Sequence, residues 1–307
     1  MLTSISVVSV NAKKKVYSYN SKTKTLTINI QGEMEYDYTN APWKHIKKPE
    51  HIVLRKGLTS IPDYGFMFSV HGNGGERLNN YDRIKTVSLP STVKSIGRDA
   101  FSDCEKLKKI NIPESVKIIG SLAFGSCENL QKITIPGSVN ELPYGLFDYC
   151  KKLEKVKIKK GVSKINENVF WECKKLKQIT ISDTVNSIDT GVFGHCNSLI
   201  KVKLPKNLKK ITCQTFYSCK NLSKVTIQNK VTKIEKLAFD NCPRLKKIKV
   251  PRSVKCIGKK AFGYIEKRID SEHLKYERIK NFTIKGYKDT AAEQYAKKNK
   301  FKFVPLD

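Results

Sequence analysis

Apolar residues recur at fixed positions every 23 residues over most of the chain. Each unit has a phenylalanine, a cysteine three residues later, a leucine after three more, and then an alternating aliphatic pair. The phenylalanines are Phe101, Phe124, Phe147, Phe170, Phe193, Phe216, Phe239 and Phe262. The cysteines are Cys104, Cys127, Cys150, Cys173, Cys196, Cys219 and Cys242. This period predicts a solenoid, whose apolar positions are buried only when one coil stacks on the next.

The aliphatic pair of each unit, such as Ile133 and Ile135, predicts a short β-strand. Because the units are in register, these strands would form one curved parallel sheet. Proline follows several of the pairs, as at Pro136, and would end the strand because it has no N–H to donate. The residues before each phenylalanine predict a turn or short helix on the opposite side. The expected fold class is an α/β-type repeat solenoid.

The start of the chain departs from the repeat. Within residues 13–50, Leu26, Ile28 and Ile30 alternate with polar residues, which predicts an N-terminal hairpin cap. The solenoid is predicted over residues 51–265. Phe66 and Phe101 stand 35 residues apart, which is 23 plus 12, so an insertion is expected at about 67–83.

Residues 266–307 are predicted to form a C-terminal cap. A capping box of Thr290 and Glu293 would begin a helix over the sequence AAEQYAKK, and Asn299 would end it. Phe301 and Phe303 then alternate in a final short strand.

The repeat LxxIxIPxxVxxIxxxAFxxC resembles the 23-residue bacterial class of leucine-rich repeats found in BspA-like surface proteins. The resemblance extends from about Val16 to the end, and includes Pro42-Trp43 near the N-terminal cap and the AAEQYAKK segment near the other end. It implies a leucine-rich repeat solenoid in a secreted or cell-surface protein with an adhesin-like binding role.

Residues 1–12 form an apolar, uncharged segment that ends in Val10-x-Ala12 before three lysines. We interpret it as the remnant of a secretory signal peptide, although its basic beginning is missing. The alternative is a frayed N-terminal strand of the cap. No stretch of the sequence approaches the roughly 20 apolar residues of a membrane-spanning helix.

The cysteines indicate packing rather than chemistry. A buried free cysteine behaves as a small hydrophobic residue. Neighbouring column cysteines could come within disulfide distance, but an odd run of seven in register favours structural thiols. Cys213 and Cys256 lie outside the column and are expected to be more accessible. No C-x-x-C pair is present and the histidines do not follow the period, so we expect no metal site.

No grouping of residues indicates catalysis. The 28 acidic residues are scattered, and none recurs in a column that would pair two carboxylates. The sequence HGNGGE at 71–76 is rich in glycine but lacks the Lys-Ser/Thr that would make it a phosphate-binding loop. We therefore expect no enzyme activity and no cofactor.

The charge of the chain indicates an anionic partner. The 59 basic and 28 acidic residues give a formal net charge of 59 − 28 = +31. On each predicted strand, the residues beside the buried aliphatics point to the open, concave face. The lysines at these positions are Lys109, Lys132, Lys155, Lys157, Lys201, Lys203, Lys224, Lys247 and Lys249.

No acidic residue shares these two columns, which predicts a basic stripe for an acidic protein or an anionic glycan. Nucleic acid is less favoured because the columns lack the aromatic residues on which bases stack. The alternative is that lysine simply fills every solvated surface, since it is also frequent elsewhere. In that case the chain is a structural spacer without a specific ligand.

Overall fold

The computed structural model describes residues 16–37, 39–46, 49–67, 83–269 and 274–307. The segment 1–12 lies outside these residues, as does the predicted insertion at 67–83 apart from its two end residues. The chain coils into a β-solenoid of about 11 turns. Among the described residues, no helix is long and apolar enough to cross a membrane.

The described chain contains short strands and a single α-helix. The strands are β1 (Tyr17–Asn20), β2 (Thr25–Ile28), β3 (Gly32–Glu33), β4 (His51–Leu54), β5 (Leu58–Ile61), β6 (Thr86–Ser88), β7 (Ser95–Ile96), β8 (Lys109–Ile110), β9 (Ile118–Ile119), β10 (Lys132–Ile135), β11 (Glu141–Leu142), β12 (Lys155–Ile158), β13 (Lys164–Ile165), β14 (Gln178–Ile181), β15 (Ser187–Ile188), β16 (Lys201–Lys203), β17 (Lys210–Ile211), β18 (Lys224–Thr226), β19 (Lys233–Ile234), β20 (Lys247–Lys249), β21 (Cys256–Ile257), β22 (Tyr264–Arg268), β23 (Leu274–Arg278), β24 (Thr283–Gly286) and β25 (Lys302–Pro305). The helix is α1 (Ala291–Lys298), between β24 and β25.

The first strand of each coil joins a parallel row, whose outer surface we call the strand face. Its hydrogen-bonded runs are β2-β4-β6-β8, β10-β12-β14, β16-β18 and β20-β24-β25, and β1 adds to the edge of β2 in the antiparallel direction. In the regular repeats, residues that face each other on neighbouring strands are 23 positions apart in the sequence. Ile133 of β10 lies opposite Val156 of β12, and Val156 lies opposite Ile179 of β14. Alternate residues point inward or outward, because the side-chain period of a strand is two. The predicted parallel sheet is confirmed.

A second row of strands, all of two residues except the four-residue β5, runs beside the first. Its runs are β3-β5-β7-β9, β11-β13-β15 and β17-β19-β21. Most of these strands carry the later aliphatic of the repeat, such as Ile165 of β13, which lies opposite Leu142 and Ile188; β3 carries none. The sequence did not indicate this row, because two residues are too few to show an alternation. The segments before the phenylalanines are turns rather than helices.

The phenylalanine column forms a continuous stack through the core. From Phe66 to Phe239 the centroids of neighbouring rings lie 5.1–5.7 Å apart, with planes within 17° of each other. Phe66 stacks on Phe101 at 5.4 Å, which confirms that the repeat resumes in register after the inserted residues. Offset stacking adds to the burial energy of each ring.

The cysteine column links successive coils. Each column thiol donates a hydrogen bond of 3.0–3.3 Å to the carbonyl oxygen of the phenylalanine in the preceding coil, as Cys150 does to Phe124. All nine cysteines are free thiols, and burial raises the pKa of Cys150 far above its usual value. The column therefore packs as structural thiols, as predicted. Cys213 is half-buried and Cys256 exposed, which also agrees with the prediction.

The N-terminal cap contains the predicted hairpin. Strands β1 and β2 pair antiparallel, and β2 then continues into the parallel row by pairing with β4. Trp43 is fully buried beneath this hairpin, with the rings of Tyr17 and Tyr36 meeting it edge-on at 5.9 and 5.6 Å. The cap thus covers the apolar end of the first coil.

The C-terminal cap consists of the antiparallel hairpin β22–β23, the strands β24 and β25, and α1. The predicted capping box is wrong in its threonine half, because the Thr290 hydroxyl donates to Tyr287 O at 2.6 Å instead of capping the helix. The Glu293 carboxylate still accepts a backbone N–H, from Asp289 at 2.7 Å. Asn299 is the C-cap, as predicted.

Replacing Phe170 by Ala should lower the free energy of unfolding by about 3–5 kcal/mol, because the cavity opens inside the continuous stack. Urea unfolding followed by circular dichroism measures this change. Ile118→Ala is the control, since that side chain is 66% exposed and should cost no more than about 0.5 kcal/mol. An equal effect of the two substitutions would contradict the account of the core.

Candidate binding face

The structure places all nine predicted lysines on the strand face, with exposed side chains. They occupy two outward positions of the strands, one just before the first buried aliphatic and one between the two aliphatics. In β12, for example, Lys155 and Lys157 flank the buried Val156. The repeat therefore brings together side chains that are up to 140 positions apart in the chain, from Lys109 to Lys249.

The parallel register sets lysines of successive coils directly opposite one another. Lys132 lies opposite Lys155, and Lys201 lies opposite Lys224. Neighbouring strands lie about 4.8 Å apart, so these ammonium groups are held within a short distance unless they splay. Like charges directly opposite each other on a sheet are destabilising. The face thus holds a concentration of positive charge that a bound anion would relieve.

None of the nine lysines forms an ion pair with any residue in the described part of the chain. Lysines beside the face behave differently. Lys24 and Lys85 both pair with Glu50, at 2.8 and 2.5 Å, and their hydrogen bonds lower the pKa of that carboxyl to about 2. Among the described residues, the strand-face lysines therefore have no ion-pair partner, although Asp183, which pairs with Lys206, exerts a longer-range attraction on Lys203.

A shallow groove of about 350 Å³ crosses the strand face between β8 and β14. Lys109, Lys132, Lys155 and Lys157 line it, together with the hydroxyl and amide side chains of Asn111, Thr134, Gln178 and Thr180. Ammonium groups form charge-assisted hydrogen bonds with sulfate, carboxylate or phosphate oxygens. The hydroxyls and amides supply neutral donors and acceptors between them. The groove can therefore hold a polar anionic segment.

The structure adds Lys285 and Lys302 to the face. Lys249 lies opposite Lys285, and Lys247 lies opposite Thr283, which lies opposite Lys302. Both added lysines are exposed and, within the described ranges, neither forms an ion pair. The nine predicted lysines together with these two are called the lysine face below.

The sequence pattern that could have identified these two lysines is the alternation of apolar and polar residues around Ile284 and Phe303. Ile284 follows Ile248 by 36 residues instead of 23, so the two cap strands fall outside the regular 23-residue columns. The cap continues the face although it breaks the repeat.

Groups for other chemistry are not found on this face. Its two columns carry no Phe, Tyr or Trp, so bases would have no ring on which to stack. Within the part of the chain that the structure describes, no three His, Cys, Asp or Glu side chains gather as they would around a metal ion.

On the opposite side, an acidic and aromatic cluster ties the hairpin β22–β23 to the coils. The Trp171 ring stacks on Tyr217 at 6.0 Å, and the Tyr217 hydroxyl donates to Glu266 Oε2 at 2.8 Å. The Tyr276 hydroxyl donates to Glu266 Oε1 at 3.2 Å. Asp240 is fully buried nearby, and neither of its carboxyl oxygens has a hydrogen-bond partner among the described residues.

This cluster is structural, because Asp240 is sealed from solvent and cannot reach a substrate. Burial, followed by the neighbouring Glu266 carboxylate, raises the pKa of Asp240 to about 8, while the nearby Asn241 N–H and then Lys260 act in the other direction. The folded protein therefore keeps Asp240 protonated at neutral pH.

Comparison with protein families matches the model described as "BspA type Leucine rich repeat region (6 copies)". The match covers residues 75–200 and 143–269, which together span 75–269 and so more than half of the chain. A comparison with curated proteins finds no match.

Several solved structures are similar to this chain. A leucine-rich repeat protein from Bacteroides ovatus is 20% identical, with 95% of this chain and 98% of that chain covered and a TM-score of 0.44. A leucine rich cell surface protein from Faecalibacterium prausnitzii is 21% identical, covering 80% and 93%, with a TM-score of 0.41. The pneumococcal vaccine antigen PcpA is 17% identical, covering 91% and 85%, with a TM-score of 0.46.

Asp240 should make the protein less stable as the pH rises from about 4 to about 8. In this range the unfolded chain releases the Asp240 proton while the folded chain retains it, so the folded state binds more protons. Asp240→Asn removes this difference. Its Tm should match that of the wild type near pH 4 and exceed it at pH 8, measured by differential scanning calorimetry.

Glu33→Gln, at an exposed position, is the control and should change the Tm only slightly. A Tm of Asp240→Asn below that of the wild type at pH 8 would show that Asp240 is ionised and stabilising in the folded protein.

Proposed function

Because the chain belongs to the BspA-type leucine-rich repeat family, we propose that it is a secreted or cell-surface module that binds an anionic macromolecule on its lysine face. The observation that carries this proposal is the pair of in-register lysine columns without acidic partners. The partner is an anionic glycan or an acidic protein surface. No catalytic step is assigned to the chain, which acts by binding.

The electrostatics of the lysine face support binding rather than mere solvation. A lysine in a solvated surface loop can turn away from its neighbours. On the strand face the backbone ladder fixes the Cα positions, so that Lys132 and Lys155 share one side of the sheet at strand spacing. An anion that neutralises them removes a repulsion present only in the folded state, and therefore stabilises the fold.

The arrangement of the groove disfavours nucleic acid. A positively charged surface binds any polyanion through counterion release, and this binding weakens steeply with salt. Selectivity for single strands requires aromatic side chains for stacking, which the two columns lack. The threonine, asparagine and glutamine side chains of the groove instead suit a partner rich in hydroxyl or amide groups.

The proposed location follows from the family and from the sequence at the beginning of the chain. Residues 1–12 are interpreted as a secretory signal remnant, and the BspA-like proteins that the repeat resembles are surface proteins. A secreted repeat protein meets extracellular glycans and protein surfaces directly, which agrees with a basic binding face.

The test replaces Lys132, Lys155, Lys201 and Lys224 by Glu. Each replacement changes the charge by −2, so the net charge falls from +31 to 31 − 8 = +23. Binding is measured by surface plasmon resonance against extracellular-matrix proteins, sulfated glycans, neutral glycans and duplex DNA, at low and physiological salt. The wild type should bind one anionic class selectively at physiological salt, and the variant should lose at least about tenfold in affinity.

The matched control replaces Lys106, Lys175, Lys220 and Lys298, which are exposed away from the strand face, and reaches the same net charge. It should keep the wild-type affinity. Equal losses in the two variants, or salt-labile binding to every polyanion, would favour the alternative of a structural spacer whose charge is generic.

A further inference from the structure

The C-terminal cap contains a cleft of about 710 Å³ that the sequence did not indicate. One wall is the end of β23 with the turn into β24, and the other is the turn between α1 and β25. Four basic side chains line it: Arg278, Lys280, Lys300 and Lys302. Its volume lies within the roughly 300–1,000 Å³ typical of sites for small molecules.

The two walls of the cleft are fixed to each other. An Arg278 Nη1 hydrogen donates to the carbonyl oxygens of Asn299 and Lys300, both at 3.3 Å. The rings of Phe282 and Phe301 pack at 5.2 Å beneath the cleft, with Phe301 partly exposed. The cleft is therefore a preformed concavity with an apolar floor and a cationic rim.

The charge of the cleft is uncompensated. Its one acidic lining residue, Glu277, pairs with Lys267 at 3.5 Å, outside the cleft. Within the described ranges, none of the four basic residues that line the cleft forms an ion pair. The cleft thus repeats, in a different part of the fold, the concentration of cations found in the groove.

The cleft and the groove lie on one continuous surface. Thr283 and Lys302 line the cleft and also continue the outward column of the strand face beyond Lys247. From β12 to β25 there are six strand steps, which at about 4.8 Å each separate the two concavities by roughly 30 Å. Lys201, Lys224 and Lys247 occupy the column between them.

We propose that the cleft is a second anion site, and that cleft and groove together select extended sulfated or carboxylated glycan chains longer than about 30 Å. This inference rests on the proposed binding function and names the class of ligand. A chain that reaches both sites binds the second one intramolecularly, which raises its affinity on the order of 10²-fold or more over a chain that fills only one.

A glycan fits this surface better than an acidic peptide does. The backbone groups of the face strands are used in the ladders, so the surface offers side chains only. A peptide laid across it could pair its backbone N–H and C=O groups only with the few amide and hydroxyl side chains of the groove, and each buried group left unpaired would cost free energy. A glycan presents hydroxyls and acidic groups at its edges, which match the threonines, amides and lysines, and one sugar face can rest on Phe301.

The experiment uses size-fractionated heparin oligosaccharides with extended lengths below and above 30 Å, titrated into the full chain by isothermal calorimetry. The wild type should bind short fragments weakly, at the groove and the cleft independently, and should bind long fragments on the order of 10²-fold more tightly. An acidic peptide of matched length and charge is titrated in parallel and should bind at least about tenfold more weakly than the long glycan.

The cleft variant is Lys280→Glu with Lys300→Glu. It should bind one short fragment fewer per chain, and its affinity for long fragments should fall to that for short ones. Lys297→Glu with Lys298→Glu, exposed on α1 of the same cap, is the control and should behave as the wild type. Thermal unfolding of each variant, monitored by circular dichroism, checks that the cap remains folded.

The possible failures can be told apart. If the wild type binds fragments of every length without a step in affinity, and the cleft variant binds like the control, the cleft proposal is overturned and the binding function stands. If the long peptide binds as tightly as the long glycan, the assignment of a glycan is overturned. If neither the glycan fragments nor the acidic peptide binds at physiological salt, both proposals fail.

Discussion

The structure depends on the in-register stacking of each coil on the coil before it. A single 23-residue unit cannot bury its phenylalanine, cysteine, leucine and aliphatic side chains alone, but the stack encloses them in one continuous core. The ring of Phe147, for example, is covered by Phe124 on one side and by Phe170 on the other. The cysteine thiols complete the stack, since each gives its hydrogen bond to a carbonyl of the coil before it.

The same register that buries the core also orders the surface. A residue type that recurs at an outward position of the repeat is placed at strand spacing along the solenoid. Recurring lysines therefore form a column of positive charges. Several acidic residues pair with lysines elsewhere, as Glu50 does with Lys24 and Lys85. The lysine face receives no such ion pair from the described residues. The proposed binding would therefore be linked to folding, because the fold creates a repulsion that an anionic partner would relieve.

The sequence predicts the positions of residues that recur in every repeat, but it does not predict contacts that occur only once in the fold. The period alone assigned Phe66 and Phe101 to the same column across an insertion, and their rings stack in the structure. It also predicted that lysines such as Lys155 point outward, and they are exposed. It could not predict the approach of Glu266 to Asp240, which depends on how one hairpin folds back, nor the cleft between β23 and β25. The Thr290 hydroxyl donates to the Tyr287 carbonyl instead of capping α1. The sequence could not predict this either, because a threonine side chain has several backbone groups within reach.

The central claim is that anions bind at the lysine face and not over the basic surface in general. Lysine footprinting tests it most directly: the chain is acetylated with and without a long heparin fragment at physiological salt, and protection is read at each lysine by mass spectrometry. The account predicts protection of the face lysines from Lys109 to Lys302, with unchanged reactivity at Lys106, Lys175 and Lys220. Equal protection of all exposed lysines would contradict it.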